Sequence, residues 1–513
     1  MLLVDVATTS ASVAATRSRL AKRVLLVDLL RRTAPEEVPV VARYLAGELR
    51  QRRTGLGLRS LATLPAPADE PTLDVLAVDA AFERMSVLAG PGSSTARSAL
   101  ATELFGAATA PEQRLLRGLV SGDLRQGALD ALLLDAVADA AGVPPEAVRR
   151  AAMLAGATEP VASAALGAGS PEQALAALDT FTLTVGRPVR PMLAASAPDV
   201  RSAVEGFAGR AVVVDTKLDG IRVQVHRDGD DVHVFTRSLD DVTDRVPEIV
   251  EVARALPVRS VVLDGEALLV DTAGRPRPFQ ETSARGATRE LEPTAGIGLT
   301  PFFFDVLHLD GRDLLDVPLT ERLAALDALA PGHTVERVVT DDADVAHDAF
   351  ARWVAAGQEG VVVKDADAPY AAGRRGGAWV KVKPRHTLDL VVLAVERGSG
   401  RRSGLLSNIH LGARDPAGGF VMLGKTFKGM TDQMLAWQTE RFTELAVDDD
   451  GWTVRLRPEQ VVEVAFDGIQ RSTRYPGGLA LRFARVLRYR DDKTADEADT
   501  IDTVRSLALP SGT

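Results

Sequence analysis

The chain has 513 residues, 46% apolar and 25% charged, with no cysteine and a formal net charge of −10. That length exceeds one ordinary core and points to about three domains, while the composition is that of a soluble globular protein. Disulfides and thiolate metal sites are excluded; long apolar runs such as 24–30, which carries Asp28, fall short of a membrane span. The N-terminus lacks a secretory pattern, so no membrane association and a cytoplasmic location are expected.

Residues 1–186 are rich in Ala and Leu, with helical spacing over 18–32, 35–49, 111–119 and 128–141. This predicts an all-α domain. It contains an echo: Gly47-Glu48-Leu49-Arg50-Gln51 returns as Gly122-Asp123-Leu124-Arg125-Gln126. Two readings stand. The pair marks two helix ends with glycine caps, or two turns offering backbone N–H groups and arginines to phosphates.

Near Val185 the texture changes. A Pro-rich connector, "GRPVRPMLA", is followed by β-branched alternation at 211–215, 222–226, 232–235, 260–264, 360–364 and 378–383. Helical stretches at 199–207, 246–256, 322–329 and 345–356 intervene, so 187–384 reads as an α+β domain. Beyond Pro384, strand-like runs at 388–395, 408–412 and 461–466 surround one helical stretch, 431–445. A small β-barrel over 385–513 is expected, with roughly the last ten residues disordered.

Charge is unevenly spread. Between Arg374 and Met430 there are 11 Lys/Arg against 3 Asp/Glu, whereas 491–502 is strongly acidic. A basic stretch in an acidic protein is a solvated face, or the one surface that meets phosphate.

The segment richest in chemistry is "VVVDTKLDGIRVQVHRDG", 212–229. Asp219-Gly220 alone signals a hairpin turn. It leaves unexplained Lys217 at the end of an apolar run, with Asp215 two residues before and Arg222 five after. A lysine leaving an apolar strand beside cations loses its proton more readily, and a neutral amine can attack phosphorus. A nearby arginine stabilises charge on a nucleotide.

Lys-x-Asp-Gly with that arginine resembles the signature of the covalent nucleotidyltransferases: DNA ligases, RNA ligases and capping enzymes. Further segments resemble that superfamily's motifs in order. Arg237 lies in "FTRSLDD", similar to the ribose-contacting segment. Glu266 is the acidic residue of "VVLDGEALLVD", the third motif. Phe304 in "PFFFDVLHLDG" matches the aromatic that stacks on adenine. "EGVVVKD" supplies Glu359 and Lys364, and "RRGGAWVKVKP" supplies Arg375, Lys381 and Lys383. "LRFARVLRYRDDK" supplies Arg482, Arg485, Arg490, Asp492 and Lys493, which the resemblance implies orient pyrophosphate. Asp215, Arg222, Arg237, Glu266, Phe304, Lys364, Arg375, Lys381 and Lys383 would bind ATP. Glu266 and Glu359 would hold Mg2+ (or Mn2+), with phosphates and water completing the shell. Singly, each has a bland alternative: core aromatic, solvated strand face or charge after a turn.

The resemblance covers nearly the whole chain and favours ATP-dependent DNA ligases of three-domain bacterial or archaeal type. "TRSRLAKRVLLVDLLRR", "LAGELRQRRTGLG" and "LVSGDLRQGA" resemble their helical DNA-binding domain, so the echo implies two phosphate-gripping turns with Arg50, Arg52, Arg53 and Arg125. "LGARD" and "GKTFKGMTD" resemble their OB-fold, with Lys425 and Lys428 toward DNA. NAD-dependent ligases are disfavoured because that family carries a four-cysteine zinc site. The implied function is sealing of nicked double-stranded DNA in replication, repair and recombination through a lysyl-AMP intermediate, by a monomer that joins the nucleoid when on DNA. The alternative is an RNA ligase or capping-type enzyme. One departure is Ala484, where the sixth motif usually has proline; a local backbone change is expected. The stretch 419–426 also matches the phosphate-loop pattern G-x-x-x-x-G-K-[ST], but its apolar interior reads as a strand. The histidines form no metal-ligand pattern and read as structural.

Overall fold

The computed structural model describes residues 1–513 apart from 52, 58, 59, 62, 125–128, 272, 273, 288–297, 372–374 and 508–513. Up to residue 190 the named elements are helices: α1 (Leu3–Ala15), α2 (Arg19–Arg32), α3 (Val38–Ala46), α4 (Val75–Ser86), α5 (Ser93–Ala107), α6 (Ala110–Ser121), α7 (Leu129–Ala141), α8 (Pro145–Ala155), α9 (Glu159–Leu166) and α10 (Pro171–Asp179). They share one apolar core that includes Leu29, Tyr44, Phe82, Phe105, Leu116 and Val137. Local signals set the ends. The Ser18 side chain accepts the Ala21 N–H, and Thr109 with Glu112 forms a capping box at α6.

The echoed pentapeptides are two copies of one helix end. Gly47 closes α3 at φ +81° and Gly122 closes α6 at φ +67°, the left-handed region where glycine carries no Cβ penalty. In each, the next residue returns a six-to-one bond: Glu48 N–H to Arg43 O at 2.9 Å, Asp123 N–H to Gly118 O at 3.0 Å. The first glycine of each copy is therefore the cap. Arg52 and Arg125 lie outside the described residues.

Two five-stranded sheets follow. One runs β1 (Leu193–Ser196), β10 (Arg375–Val382), β9 (Gly360–Asp365), β2 (Val212–Lys217), β8 (Arg337–Thr340). The other runs β4 (Asp231–Thr236), β3 (Ile221–Asp228), β5 (Ser260–Leu269), β6 (Leu299–Leu309), β7 (Arg312–Asp313). The six expected strands all form; β1, β6, β7 and β8 were not anticipated. Helices α11 (Val200–Glu205) and α14 (Ala343–Ala355) cover the first sheet through Val204 and Trp353, joined by Phe207 just beyond α11. α12 (Pro247–Ala255) and α13 (Leu319–Leu329) cover the second through Ile249, Leu323 and Leu326.

β2 and β3 belong to different sheets, so Asp219-Gly220 is not the hairpin turn that the dipeptide signals. It is a crossing between layers. Gly220 is small for a steric reason: a Cβ there would fall 2.5 Å from Ala267 O and 2.8 Å from Glu266 Cγ. The chain crosses at Lys217 because it can press flat against β5.

The rest is strand-rich. β11 (His386–Arg397), β12 (Leu406–Arg414), β13 (Phe420–Thr426), β14 (Ala446–Asp449), β15 (Thr453–Leu456), β16 (Val461–Phe466) and β19 (Arg485–Tyr489) share a seven-stranded sheet. β17 (Gly468–Arg471) pairs with β18 (Leu479–Arg482), and a helix, Asp432–Glu444, packs Leu435 and Phe442 inward. Residues 420–426 are a ladder strand against β12, which removes the phosphate-loop reading. Residues Ile501–Leu507 form a helix with Ile501 and Val504 buried, where a disordered tail was expected; 508–513 lie outside the described residues. Beside Ala484, Phe483 adopts φ +54°, the local backbone feature at the missing proline.

Deep in the middle region, Arg322 and Asp305 are fully buried and pair through Nε at 2.7 Å and Nη2 at 3.0 Å. The guanidinium also donates to Val317 O and Ala368 O, so its charge is satisfied all round. Removing one partner strands the other without water. Asp305→Ala should lower the unfolding free energy by about 3–5 kcal/mol, read as a reduced urea midpoint.

Candidate active site

Pairing register brings Lys217 into a row. Lys217 on β2 faces Gly360 on β9, and Lys383 follows directly on β10, whose Val382 faces Val361. Gly360 has φ +146°, and a Cβ there would lie 2.2 Å from Val382 O, so the strands close up at this point. Glu359 sits at the head of the row, its N–H donating to Lys217 O at 3.1 Å. One oxygen of its carboxylate pairs with the Lys217 ammonium and the other with Lys383. Lys383 thus stands across a shared carboxylate from the expected nucleophile, whereas Arg222 pairs with Asp264. Burial opposes charge on Lys383, but Glu359 and Asp467 outweigh it and leave its pKa above the ordinary lysine value.

The facing sheet supplies the second wall. On β3 the side chains alternate: Val223 and Val225 enter the apolar core, while Arg222, Gln224 and His226 take the opposite face. Arg222 stands opposite Glu266 of β5. Its guanidinium forms a two-point pair with Asp264, Nε at 2.7 Å and Nη2 at 2.5 Å, and lies 4.9 Å from the Phe304 ring centre. Phe304 meets Trp379 edge to face at 5.9 Å. Glu266 keeps a partly exposed edge, yet burial of its carboxyl pushes the pKa up to about 7, against the pull of Lys217 and Arg222 and with the repulsion of Glu359 and Asp264.

Other expected residues take different places. Lys364 is buried, paired with Asp215 at 2.5 Å, its ammonium 4.3 Å from the Trp379 ring centre and 4.8 Å from that of Phe304. Asp215 and Lys364 thus form an internal pair behind Phe304. Lys381 lies on β10 opposite Val362. Arg237 is exposed, one position beyond the Val223–Thr236 pair and so alongside Arg222. Arg375 begins β10 and pairs with Leu193; its side chain lies outside what is described.

The strand-rich region reaches the row by two contacts. Arg482 Nη1 binds Asp219 at 2.7 Å, and Asp467 binds Lys383 at 3.0 Å. Arg490, Asp492 and Lys493 do not accompany Arg482: Arg490 and Lys493 converge on Asp389 of β11 at 3.0 and 2.6 Å, and Asp492 pairs with Arg490 at 2.7 Å. Arg485 is exposed on β19. Of the residues expected near DNA, Arg50 is held by Asp79 at 2.8 Å and Glu83 at 2.9 Å, and Arg53 is exposed. Lys425 pairs with Glu396, and Lys428 lies 5.4 Å from the Phe483 ring centre.

Sequence reasoning missed Asp264, Tyr370, Trp379 and Asp467. Asp264 was in plain view two residues before Glu266, and an unexplained carboxylate in an apolar strand was the available signal. The other three are brought in by tertiary contact.

Lys217 thus lies between two sheets beside Glu359 and Lys383, within an assembly of carboxylates and cations. The family model described as "ATP dependent DNA ligase domain" matches residues 191–383, and that for the "ATP dependent DNA ligase C terminal region" matches 402–493. A probable DNA ligase of Beutenbergia cavernae is 71% identical over 510 residues, covering 99% of this chain and 100% of that protein. One from Mycobacterium marinum is 59% identical over 99% of this chain and 100% of its own length. The solved structure called Pmar-Lig_PreS3 superimposes with a TM-score of 0.61 at 18% identity, covering 94% of this chain and 99% of that one, a likeness of fold. The chain belongs to the ATP-dependent DNA ligases.

Glu266 yields a pH test. Its folded pKa stands above the ordinary 4.5, so the fold favours the neutral acid. That stabilisation is complete below about pH 4.5 and is lost as pH rises through about 7. With chelator present, wild type should lose thermal stability relative to Glu266→Gln between pH 5 and 8. A difference that stays constant across that range would show that Glu266 does not titrate there.

Proposed function

We propose that this enzyme seals nicks in double-stranded DNA, with Lys217 as the nucleophile that carries AMP. The observation that carries this reading is the Lys217–Glu359–Lys383 row, placed within reach of Arg222, Glu266 and Phe304. The Lys217 Nζ, as the neutral amine after its proton is released, attacks the α-phosphate of ATP; a phosphorus–nitrogen bond forms as the bond between the α-phosphorus and the bridging oxygen breaks, and pyrophosphate leaves. AMP then passes to the 5′-phosphate at a nick, and the 3′-hydroxyl displaces it to close the strand. Splitting the reaction gives the 5′-phosphate a good leaving group. Phe304 offers its ring to adenine, Arg222 and Arg237 offer donors to the nucleotide, and Lys381 and Lys383 offset phosphate charge.

A divalent ion fits the donor set. Glu266 and Glu359 are hard oxygen ligands whose mutual repulsion helps raise the Glu266 pKa, and a dication would relieve it. Among the described residues no cluster of three metal-ligating side chains occurs, so phosphate and water would complete the shell. The ion would supply charge neutralisation at the phosphates.

The same reading divides the chain at 186/187 and 384/385, with an OB-fold barrel last, and has it act as a cytoplasmic monomer in replication, repair and recombination. The arrangement described here suits the later steps. Arg482 and Asp467 face the row, while Arg490, Asp492 and Lys493 cluster on Asp389. Bringing those three to ATP requires the last domain to swing, and Lys383, Pro384 and Arg385, between β10 and β11, form the short joint.

Incubation with α-labelled ATP and magnesium should leave label on the denatured protein, and Lys217→Ala should carry none. A labelled Lys217→Ala band would end the mechanism. The absence of cysteine permits a second test. Gln280 donates to Arg471 O at 3.3 Å across the domain boundary, so cysteines at 280 and 471 joined by a short bis-maleimide would fix this arrangement. The linked enzyme should seal a nick already bearing 5′-adenylate while labelling with ATP falls at least ~100-fold. Unimpaired labelling would refute the swing.

A further inference from the structure

The connector between the helical region and the sheets, 186–192, is bonded along its length to the strand that carries Arg222. Three successive same-face side chains of β3 reach it. Arg222 Nη1 donates to Met192 O at 3.1 Å. Gln224 accepts the Val189 N–H at 2.8 Å and donates to Val189 O at 3.1 Å. His226 Nδ1 accepts the Gly186 N–H at 3.1 Å. Gln224 and His226 are buried, and burial drives the His226 pKa down to about 3, so the ring is neutral and remains an acceptor.

On its other side the connector is fastened to the helical region. Arg190 N–H donates to Met153 O at 2.9 Å, and its guanidinium reaches Asp130 and Thr158, each at 2.8 Å. Gly156, the cap of α8, sits so close that a Cβ would lie 2.8 Å from Pro188 O. An apolar cluster of Met153, Leu154, Val189, Met192, Tyr370 and Trp379 fills the seam.

Tyr370 joins the two anchors of Arg222. Its fully buried hydroxyl donates to Asp264 at 2.6 Å and accepts the Met192 N–H at 3.0 Å. Burial raises its pKa well above the usual tyrosine value, so the proton stays on to be donated. Asp264 and Met192 O are the hydrogen-bond acceptors that hold the Arg222 guanidinium, and Tyr370 touches both residues. Three of the five guanidinium N–H groups are committed to these anchors, which leaves two for a nucleotide.

We propose that Tyr370 and the 186–192 connector are positioning elements for Arg222, which couple the placement of the DNA-gripping helical domain to ATP affinity. The inference rests on the reading above, in which Arg222 meets the nucleotide. Displacing the helical domain pulls on Arg190 and Met192, and Met192 is bonded to Arg222 directly and to its partner Asp264 through Tyr370. A side chain that acts in this way alters nucleotide binding more than bond making.

The test uses full-length protein and the ATP dependence of Lys217 labelling with α-labelled ATP and magnesium. Tyr370→Phe keeps the ring and deletes one hydroxyl. It should raise KM for ATP about tenfold with kcat within about twofold. Arg190→Met should raise KM in the same direction by about threefold, although it touches no part of the site. In an Arg222→Ala background both effects should vanish, because the relay then has no end point. KM does not depend on the folded fraction, so a loss of stability cannot imitate this result. Unchanged KM in Tyr370→Phe or Arg190→Met, or effects that persist in Arg222→Ala, would overturn the proposal. Failure of the wild type to label at all would instead overturn the functional reading beneath it.

Discussion

Charges taken out of water must be paired, and in this enzyme the pairing of a single carboxylate organises the site. Glu359 holds Lys217 with one oxygen and Lys383 with the other. Lys217 ends β2, Glu359 immediately precedes β9 and Lys383 immediately follows β10, so the three strands are registered to one another at the point where chemistry is expected. Leaving either ammonium unpartnered in this half-buried cleft would cost more than the contact gains. Lys383 extends the arrangement outward to Asp467, and Asp219, two residues after Lys217, extends it to Arg482. The strand-rich region thus meets the row through ion pairs at the protein's half-exposed surface.

Behind this row lie pairs of a different kind. Lys364 with Asp215 and Arg322 with Asp305 are buried and closely bonded, and Arg222, partly exposed, is held by the fully buried Asp264. They fix geometry more than they stabilise, since a buried ion pair rarely outperforms apolar packing of the same volume. Lys364 makes the distinction plain. It belongs to a motif segment and was expected to meet phosphate, yet it is enclosed by Asp215, Phe304 and Trp379. From there it can set the ring that adenine would stack on, and it lies too deep to serve as a mobile counter-charge.

The helical region is joined to the site by a connector fastened on both sides. Proline at 188 and 191 stiffens it, and the side chains of Gln224 and His226 hold it without forming a further strand. His226, which the sequence marked only as a structural histidine, is one of these supports.

The sequence by itself determined the order of the motifs and about half of the regular elements, and it singled out Lys217 as the candidate nucleophile. Alternation places strands at 211–215, 222–226 and 360–364, where the structure has 212–217, 221–228 and 360–365, and 3.6-residue spacing places several helices, because both depend on local pattern and burial. It offered glycine caps as one of two readings of the echo, and the structure shows them at Gly47 and Gly122, where the missing Cβ permits a positive φ. Only the tertiary structure decided which charges meet. Asp219-Gly220 reads locally as a hairpin, but its strands lie in different sheets, because Gly220 must pass against Ala267 O. Arg222 stands five residues from Lys217 yet turns to Asp264, whereas Lys383, 166 positions away, shares its carboxylate. Distance along the chain says nothing of such partners. They are chosen by strand register and by the need to neutralise charge inside a cleft, and both exist only once the two sheets have packed.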